Sequence, residues 1–118
     1  MADKVELDAN EIKLGETSAR YQSPVNTGTF TLTSRRLVWR KGWMLTPLSL
    51  LGQREAIIPI ERIEKCFSRG IMVVVGTQNG DFYFYFWNRW WSPWWDDRKA
   101  KEWLALIEDA MLHRLHTA

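Results

Sequence analysis

Cysteine is nearly absent from this 118-residue chain, which contains only Cys66. The sequence therefore predicts neither an internal disulfide nor a cysteine-rich metal site, and it weakly favours a cytoplasmic setting. No stretch approaches the roughly 20 apolar residues that cross a bilayer, and the first residues lack the apolar run of a signal peptide. A net charge of only +2 gives no reason to expect nucleic acid as a partner.

Residue patterns that would indicate catalysis are also missing. His113 and His116 lie near the end of the chain without a serine or cysteine partner at useful spacing, and a frayed helix end explains them best. Asp96 and Asp97 are better placed to cap a helix than to act as an acid–base pair. Cys66 is predicted to be a small core residue, and no glycine-rich phosphate loop occurs. The prediction is a protein that is not an enzyme and uses no metal, cofactor or small-molecule substrate.

Tryptophan, by contrast, is abundant, with eight copies in a composition that is 46% hydrophobic and 25% charged. Such a composition is globular, and the length fits one domain. Residues 1–10 are polar and predict a flexible N-terminus, so the domain is expected to span 11–118.

Alternating apolar and polar residues predict a mainly β structure. Candidate strands lie in 11–22, 28–33, 36–40, 55–60 and 62–69, and Pro59 should sit at a sheet edge, a strand end or a bulge because it has no N–H. From Asp96 or Asp97 to about Leu115 the apolar period changes to that of a helix. The expectation is an antiparallel barrel or sandwich of six or seven strands, capped by one C-terminal helix.

The clearest local signal is Asn79-Gly80, which lies between two strand-like runs and favours a tight hairpin with positive φ at both central residues. Counting outward from that turn places Val75 opposite Phe84 and Val73 opposite Phe86. The phenylalanine side is expected to face the core. The opposite side, with Tyr83 and Tyr85, is also apolar and must be covered by the helix, a loop or a partner.

Four segments in order resemble GRAM and other PH-like domains. Gly28–Trp39 (GTFTLTSRRLVW) resembles the G-x-L-x-L-T-x-x-R-L hairpin of these domains, and Ile58–Ile63 (IPIERI) resembles their I-P-L-x-x-I strand. Thr77–Phe84 (TQNGDFYF) resembles their T-x-D-G-x-x-Y-x-F hairpin, and the helix containing Trp103 fits their closing helix. Residues 33–39 are also similar to the GLUE variety, which often has histidine in place of Arg35. The resemblance implies a PH-like fold and a non-catalytic docking role, with phosphoinositide and, in some members, ubiquitin as ligands.

Two apolar segments and one basic strand are candidate contact sites. The first segment, 43–51, contains Trp43, Met44, Leu45 and Leu48; it either inserts into a membrane or partner, or folds back over one end of the barrel. The second, 87–95, contains Trp90, Trp91, Trp94 and Trp95, and tryptophans of this kind suit membrane interfaces and protein contacts, although packing against the tyrosine side is an alternative.

The basic set comprises Arg36, Arg40, Lys41 and Arg54. Arg36 and Arg40 point the same way on one strand and could hold a lipid phosphate, although solvated strand edges would look alike in sequence. The leading hypothesis is docking of a cytoplasmic protein at the periphery of a membrane through anionic lipid. The alternative is a protein-interaction module that binds a ubiquitin-like partner or a second copy through its tryptophans.

Overall fold

The computed structural model describes residues 6–22, 26–42, 55–87 and 96–117, with side chains described up to His113. Seven strands precede one helix in this part of the chain, which confirms the predicted order. The elements are β1 (Lys13–Tyr21), β2 (Thr27–Thr33), β3 (Arg36–Lys41), β4 (Glu55–Pro59), β5 (Ile63–Arg69), β6 (Met72–Thr77), β7 (Gly80–Tyr85) and α1 (Arg98–Thr117). A single 3₁₀ turn, Ile60–Arg62, links β4 to β5.

The strands form one antiparallel sheet in the order β4-β3-β2-β1-β7-β6-β5. Between β1 and β7 the pairing covers only Arg20 with Tyr85 and Tyr21 with Phe84. Because this junction is so short, the sheet consists of two halves, β1–β4 and β5–β7, that fold over a shared core. Pro59 is the last residue of the edge strand β4, as its missing N–H predicted.

Aromatic side chains join the two halves and the helix. Phe30 of β2 lies with its ring centroid 5.0 Å from that of Phe84 and 5.1 Å from that of Phe86. Trp103 of α1 packs edge-on to Phe30 at 5.4 Å and stacks on Phe86 at 5.9 Å. These contacts confirm that the phenylalanine side of the last hairpin faces the core and that the predicted face of the helix closes it.

Trp39 ties three strands of the first half together. Its indole N–H donates to the carbonyl of Ala19 at 3.0 Å, across β2. The indole passes over Gly28, where an added Cβ would lie 2.2 Å from the carbonyl oxygen of Arg40 and 2.7 Å from the ring itself. Only glycine leaves room for this close approach of strand and indole.

The register predicted for the last hairpin was wrong by one residue on each strand. Thr77 pairs with Gly80, so that Val75 lies opposite Phe82 and Val73 opposite Phe84. Gln78 and Asn79 form the turn, and neither has a positive φ. Gly80, the first residue after the turn, has a positive φ of 129°. The hydroxyl of Thr77 explains the difference, because it accepts the N–H of Asn79 and donates to the carbonyl of Gly80. The shift preserves which side chains face the core.

Candidate functional site

Threonines and charged residues occupy the outer surface of the first half, which we call the polar face (the outward side chains of β1–β4). Arg36 on β3 is one of its less exposed charges, with 23% of its side chain accessible. The Nε of Arg36 donates to Oε2 of Glu11 at 2.9 Å, and one terminal nitrogen donates to Oε1 at 3.2 Å. The same nitrogen donates to the carbonyl of Glu6 at 2.6 Å. Arg36 therefore fastens the segment before β1 onto β3.

Glu11 is a buried carboxylate with several donors around it. Besides Arg36, the hydroxyl of Thr33 donates to Oε2, and the N–H of Asp8 donates to Oε1 at 3.0 Å. The hydrogen bonds from Arg36 favour the ionised form most strongly, and they lower the pKa of Glu11 from 4.5 to about 2 despite its burial. The same pair raises the pKa of Arg36. Both groups stay charged at neutral pH, and a phosphate could reach Arg36 only by displacing this carboxylate.

Arg40 has a different environment from Arg36, although both side chains lie on the polar face. Its Nε donates to Glu55 at 2.8 Å in a pair that is largely open to water. Such surface pairs contribute roughly 0–1 kcal/mol to stability. Replacing the carboxylate of Glu55 by a phosphate beside Arg40 would therefore cost little free energy. The structure therefore does not bring Arg36 and Arg40 to one point but gives each its own carboxylate.

Three cations lie where β1 and β3 end, with Arg20 and Arg40 on the outer side of the sheet and Lys41, the neighbour of Arg40, on the other side. Lys41 lies opposite Gly28, and Arg20 lies opposite Thr27, so both flank the start of β2. Arg40 precedes Lys41 by one residue. From here the chain continues into Trp43, Met44, Leu45 and Leu48 and returns through Arg54, all of which lie outside the described residues, as do Trp90, Trp91, Trp94 and Trp95.

The outer surface of the second half has a different character, which we call the aromatic face: Phe67, Met72, Val74, Tyr83, Tyr85 and Trp87. Phe67 is 43% exposed, and Tyr85 stacks with Trp87 at a centroid distance of 6.1 Å. The guanidinium of Arg20 lies 4.2 Å over the Trp87 ring. Sequence reasoning identified the tyrosine side of this surface as needing cover but missed Arg20 and Phe67, which join it through strand pairing. The strand predicted over 62–69 was the available signal, because successive residues of a strand point to opposite sides and Phe67 is therefore directed away from Cys66.

The described residues contain no group of three or more His, Cys, Asp or Glu side chains that could hold a metal ion. Burial raises the pKa of the Cys66 thiol to about 12, which leaves almost no thiolate at neutral pH. Within the described ranges no helix is long and apolar enough to cross a membrane.

Neither a family model nor a curated protein sequence matches the chain. Solved structures match its shape. The N-terminal PH domain of Vps36 superposes with a TM-score of 0.66 at 10% identity, covering 94% of this chain and 86% of that one. The N-terminal PH domain of human ARAP2 gives 0.58 at 13% identity, covering 88% and 84%. A PH domain from TgAPH gives 0.52 at 14% identity, covering 80% and 79%.

These matches show that the chain has the PH-like fold, a seven-stranded antiparallel sheet with a closing C-terminal helix. The predicted fold resemblance is thereby confirmed. The GRAM and GLUE varieties named from the sequence stay predictions, because the structural likeness extends to the fold alone.

Proposed function

We propose that this protein is a non-catalytic docking module that binds an anionic membrane lipid at the end of the sheet where β1 and β3 terminate. The observation that carries the proposal is the placement of Arg40 and Lys41 as the last two residues of β3, immediately before Gly42 and the apolar segment 43–51. Each cation near an anionic membrane surface contributes about 1 kcal/mol of attraction.

In sequence, Gly42 alone separates the apolar segment 43–51 from Lys41, the last residue of β3, and Arg54 follows the segment before β4 begins. Burying side chains such as Trp43 and Leu45 in the bilayer interface contributes roughly 1.5–3 kcal/mol each before ordering costs. An apolar segment with cations on both sides in sequence favours an anionic membrane over a neutral one.

Of the basic residues proposed as phosphate ligands, Arg40, Lys41 and Arg54 are closest in the chain to the apolar segment. Arg36 lies four residues before Arg40, about 13 Å along the strand, and is held by Glu11. We therefore expect Arg40 and Lys41 to contribute more to lipid binding than Arg36.

Flotation with phosphatidylcholine vesicles, with and without phosphatidylserine or phosphoinositide, tests the proposal. The wild-type chain should float only with the anionic vesicles, and the Trp43→Asp/Leu45→Asp double variant should lose most of that binding. A wild-type chain that ignores all vesicles would refute lipid docking. Unchanged binding by the double variant would refute insertion of the segment.

The protein-interaction alternative, with the tryptophans at 90–95 contacting a ubiquitin-like partner or a second copy, makes a different prediction. Light scattering over a range of protein concentrations would then show self-association, or titration with ubiquitin would show binding. A strict monomer that binds anionic vesicles and ignores ubiquitin favours the lipid proposal.

A further inference from the structure

The aromatic face consists of two rows of side chains that run across the strands. In the first row Phe67, Val74 and Tyr83 lie directly opposite one another on β5, β6 and β7. In the second row Arg69 lies opposite Met72, and Met72 lies opposite Tyr85. Tyr85 in turn pairs with Arg20 of β1, so this row crosses all four strands. Directly opposite residues point to the same side of a sheet, so each row is one continuous strip.

This face lies on the side of the sheet away from the core, where Phe67 is 43% exposed and Val74, in the middle of its row, is 2% exposed. The residues that alternate with it on β6, Val73 and Val75, are fully buried in the core. Cys66, next to Phe67 on β5, packs against that core and feels the charge of Glu108 on α1. Helix α1 therefore lies on the opposite side of β5, and among the described elements none packs over the aromatic face.

The arginines of the two faces differ in their partners. On the polar face Arg36 and Arg40 are each held by a glutamate. On the aromatic face Arg20 has the ring of Trp87 beneath it, and neither Arg20 nor Arg69 has a carboxylate partner within the described part of the chain. Lys65, in the next row, faces Asp81 at a longer 4.0 Å. Two guanidinium groups thus bracket an aromatic strip without counter-charges.

We infer that the aromatic face binds a partner protein that presents an apolar surface between two carboxylates. Arg69 and Arg20 are three strand spacings apart, which places their Cα atoms about 14 Å from each other and sets the spacing of the carboxylates. Tyrosine, tryptophan, methionine and arginine are the side chains enriched where proteins bind each other, with the charged residues at the rim.

The geometry favours a protein over a membrane at this face. Side chains on a sheet surface stand at one level, so none of the aromatic rings can reach the hydrocarbon core of a bilayer without the two arginines and the tyrosine hydroxyls entering it as well. A partner surface of matching relief covers the rings and pairs the arginines at the same time. The inferred surface is separate from the apolar segment 43–51 proposed for lipid docking.

The test is selection of short random peptides displayed on phage against the full chain, followed by synthesis and titration of the enriched sequences. Enriched peptides should carry Asp or Glu on both sides of apolar residues. Their affinity should fall about tenfold or more in Arg69→Glu and in Phe67→Asp, because each removes part of the strip. Arg62→Glu, an exposed charge reversal in the 3₁₀ turn, is the matched control and should bind like wild type.

Urea unfolding of each variant checks that the fold is intact, and Phe67→Ser replaces Phe67→Asp if the latter unfolds. Failure to enrich any peptide, enrichment of peptides without acidic residues, or equal affinity for wild type and Arg69→Glu would each overturn the inference. Vesicle flotation of Arg69→Glu provides the remaining arm. We expect this variant to float with anionic vesicles as well as wild type does. If it no longer floats, and if the selection also yields no peptide, the aromatic face is a membrane contact and the inference is wrong.

Discussion

Arg36 and Glu11, 25 residues apart in sequence, form a two-point ion pair in which the Nε–Oε2 distance is 2.9 Å and the carboxylate is fully enclosed. The pair joins the segment before β1 to β3, and Thr33 completes it. Its enclosure separates it from the other arginine–glutamate pair on the same face, Arg40 with Glu55, which water reaches on both sides.

Glu11→Gln should lower the free energy of unfolding by about 2–4 kcal/mol. The substitution leaves the largely buried guanidinium of Arg36 without a counter-charge. Leaving a buried charge unpaired destabilises a protein by more than the net stabilisation that the ion pair had provided. Urea unfolding near neutral pH measures it. Glu55→Gln is the matched control, because it removes the partner of Arg40 at the surface and should cost less than about 1 kcal/mol. Equal losses in the two variants would show that the enclosure of Glu11 has no energetic consequence.

The stabilisation from Glu11 should depend on pH. Its pKa is about 2 in the folded chain and 4.5 ordinarily, so the unfolded chain takes up the proton first as pH falls. The contribution is therefore complete above about pH 4.5 and is lost progressively toward pH 2, a total of about 3 kcal/mol. Unfolding of wild type and Glu11→Gln across this range should show their difference shrinking. A constant difference down to about pH 2 would contradict the lowered pKa.

Gly28→Ala should destabilise the fold by about 2–4 kcal/mol. The new methyl group would meet the backbone carbonyl of Arg40 and the indole of Trp39, and the indole cannot shift without straining its hydrogen bond to Ala19. Gly42→Ala is the control, since its nearest neighbour is 3.5 Å away, and it should change stability by less than about 1 kcal/mol. Similar stability of the two variants in thermal unfolding would contradict the packing described for Trp39.

Cys66 should resist alkylation while the chain is folded. A pKa of about 12 against the ordinary 9.0 reduces the thiolate fraction about a thousandfold at mildly alkaline pH. Iodoacetamide labelling followed by mass spectrometry should show slow modification of the native chain and fast modification in denaturant. Native labelling as fast as in denaturant would show that the thiol is not held against the core.

Much of the fold was predictable because its signals are local. Alternation identified the strands, the change of period located α1, and the hydrophobic face containing Trp103 was correct. The register of the last hairpin was predicted wrongly. Asn79-Gly80 prefers the two central positions of a tight turn, but the hydrogen bonds of the Thr77 side chain favour a turn at Gln78 and Asn79, and simple turn rules do not include such side-chain bonds.

The contacts that define the candidate surfaces depend on residues that are distant in sequence. Nothing near Arg36 indicates that Glu11 is its partner, so its role in fastening β3 to the preceding segment was unpredictable. The aromatic face likewise depends on β1 pairing with β7, which brings Arg20 beside Tyr85 and Trp87. The alternation of residues within a strand predicts which side of the sheet each side chain faces. It does not predict which other strand will pair with that strand, and so it does not predict the neighbours across the pairing.

Charge reversal at the two ends of β3 tests lipid docking most directly. Lys41→Glu places a negative charge beside the proposed membrane contact, whereas Arg35→Glu places it in the exposed turn between β2 and β3, at the opposite end of the first half. Partition onto phosphatidylserine vesicles, measured by co-sedimentation, should fall about tenfold or more for Lys41→Glu and stay near wild type for Arg35→Glu. Equal partition of the two variants would contradict the proposal that the chain docks through this end.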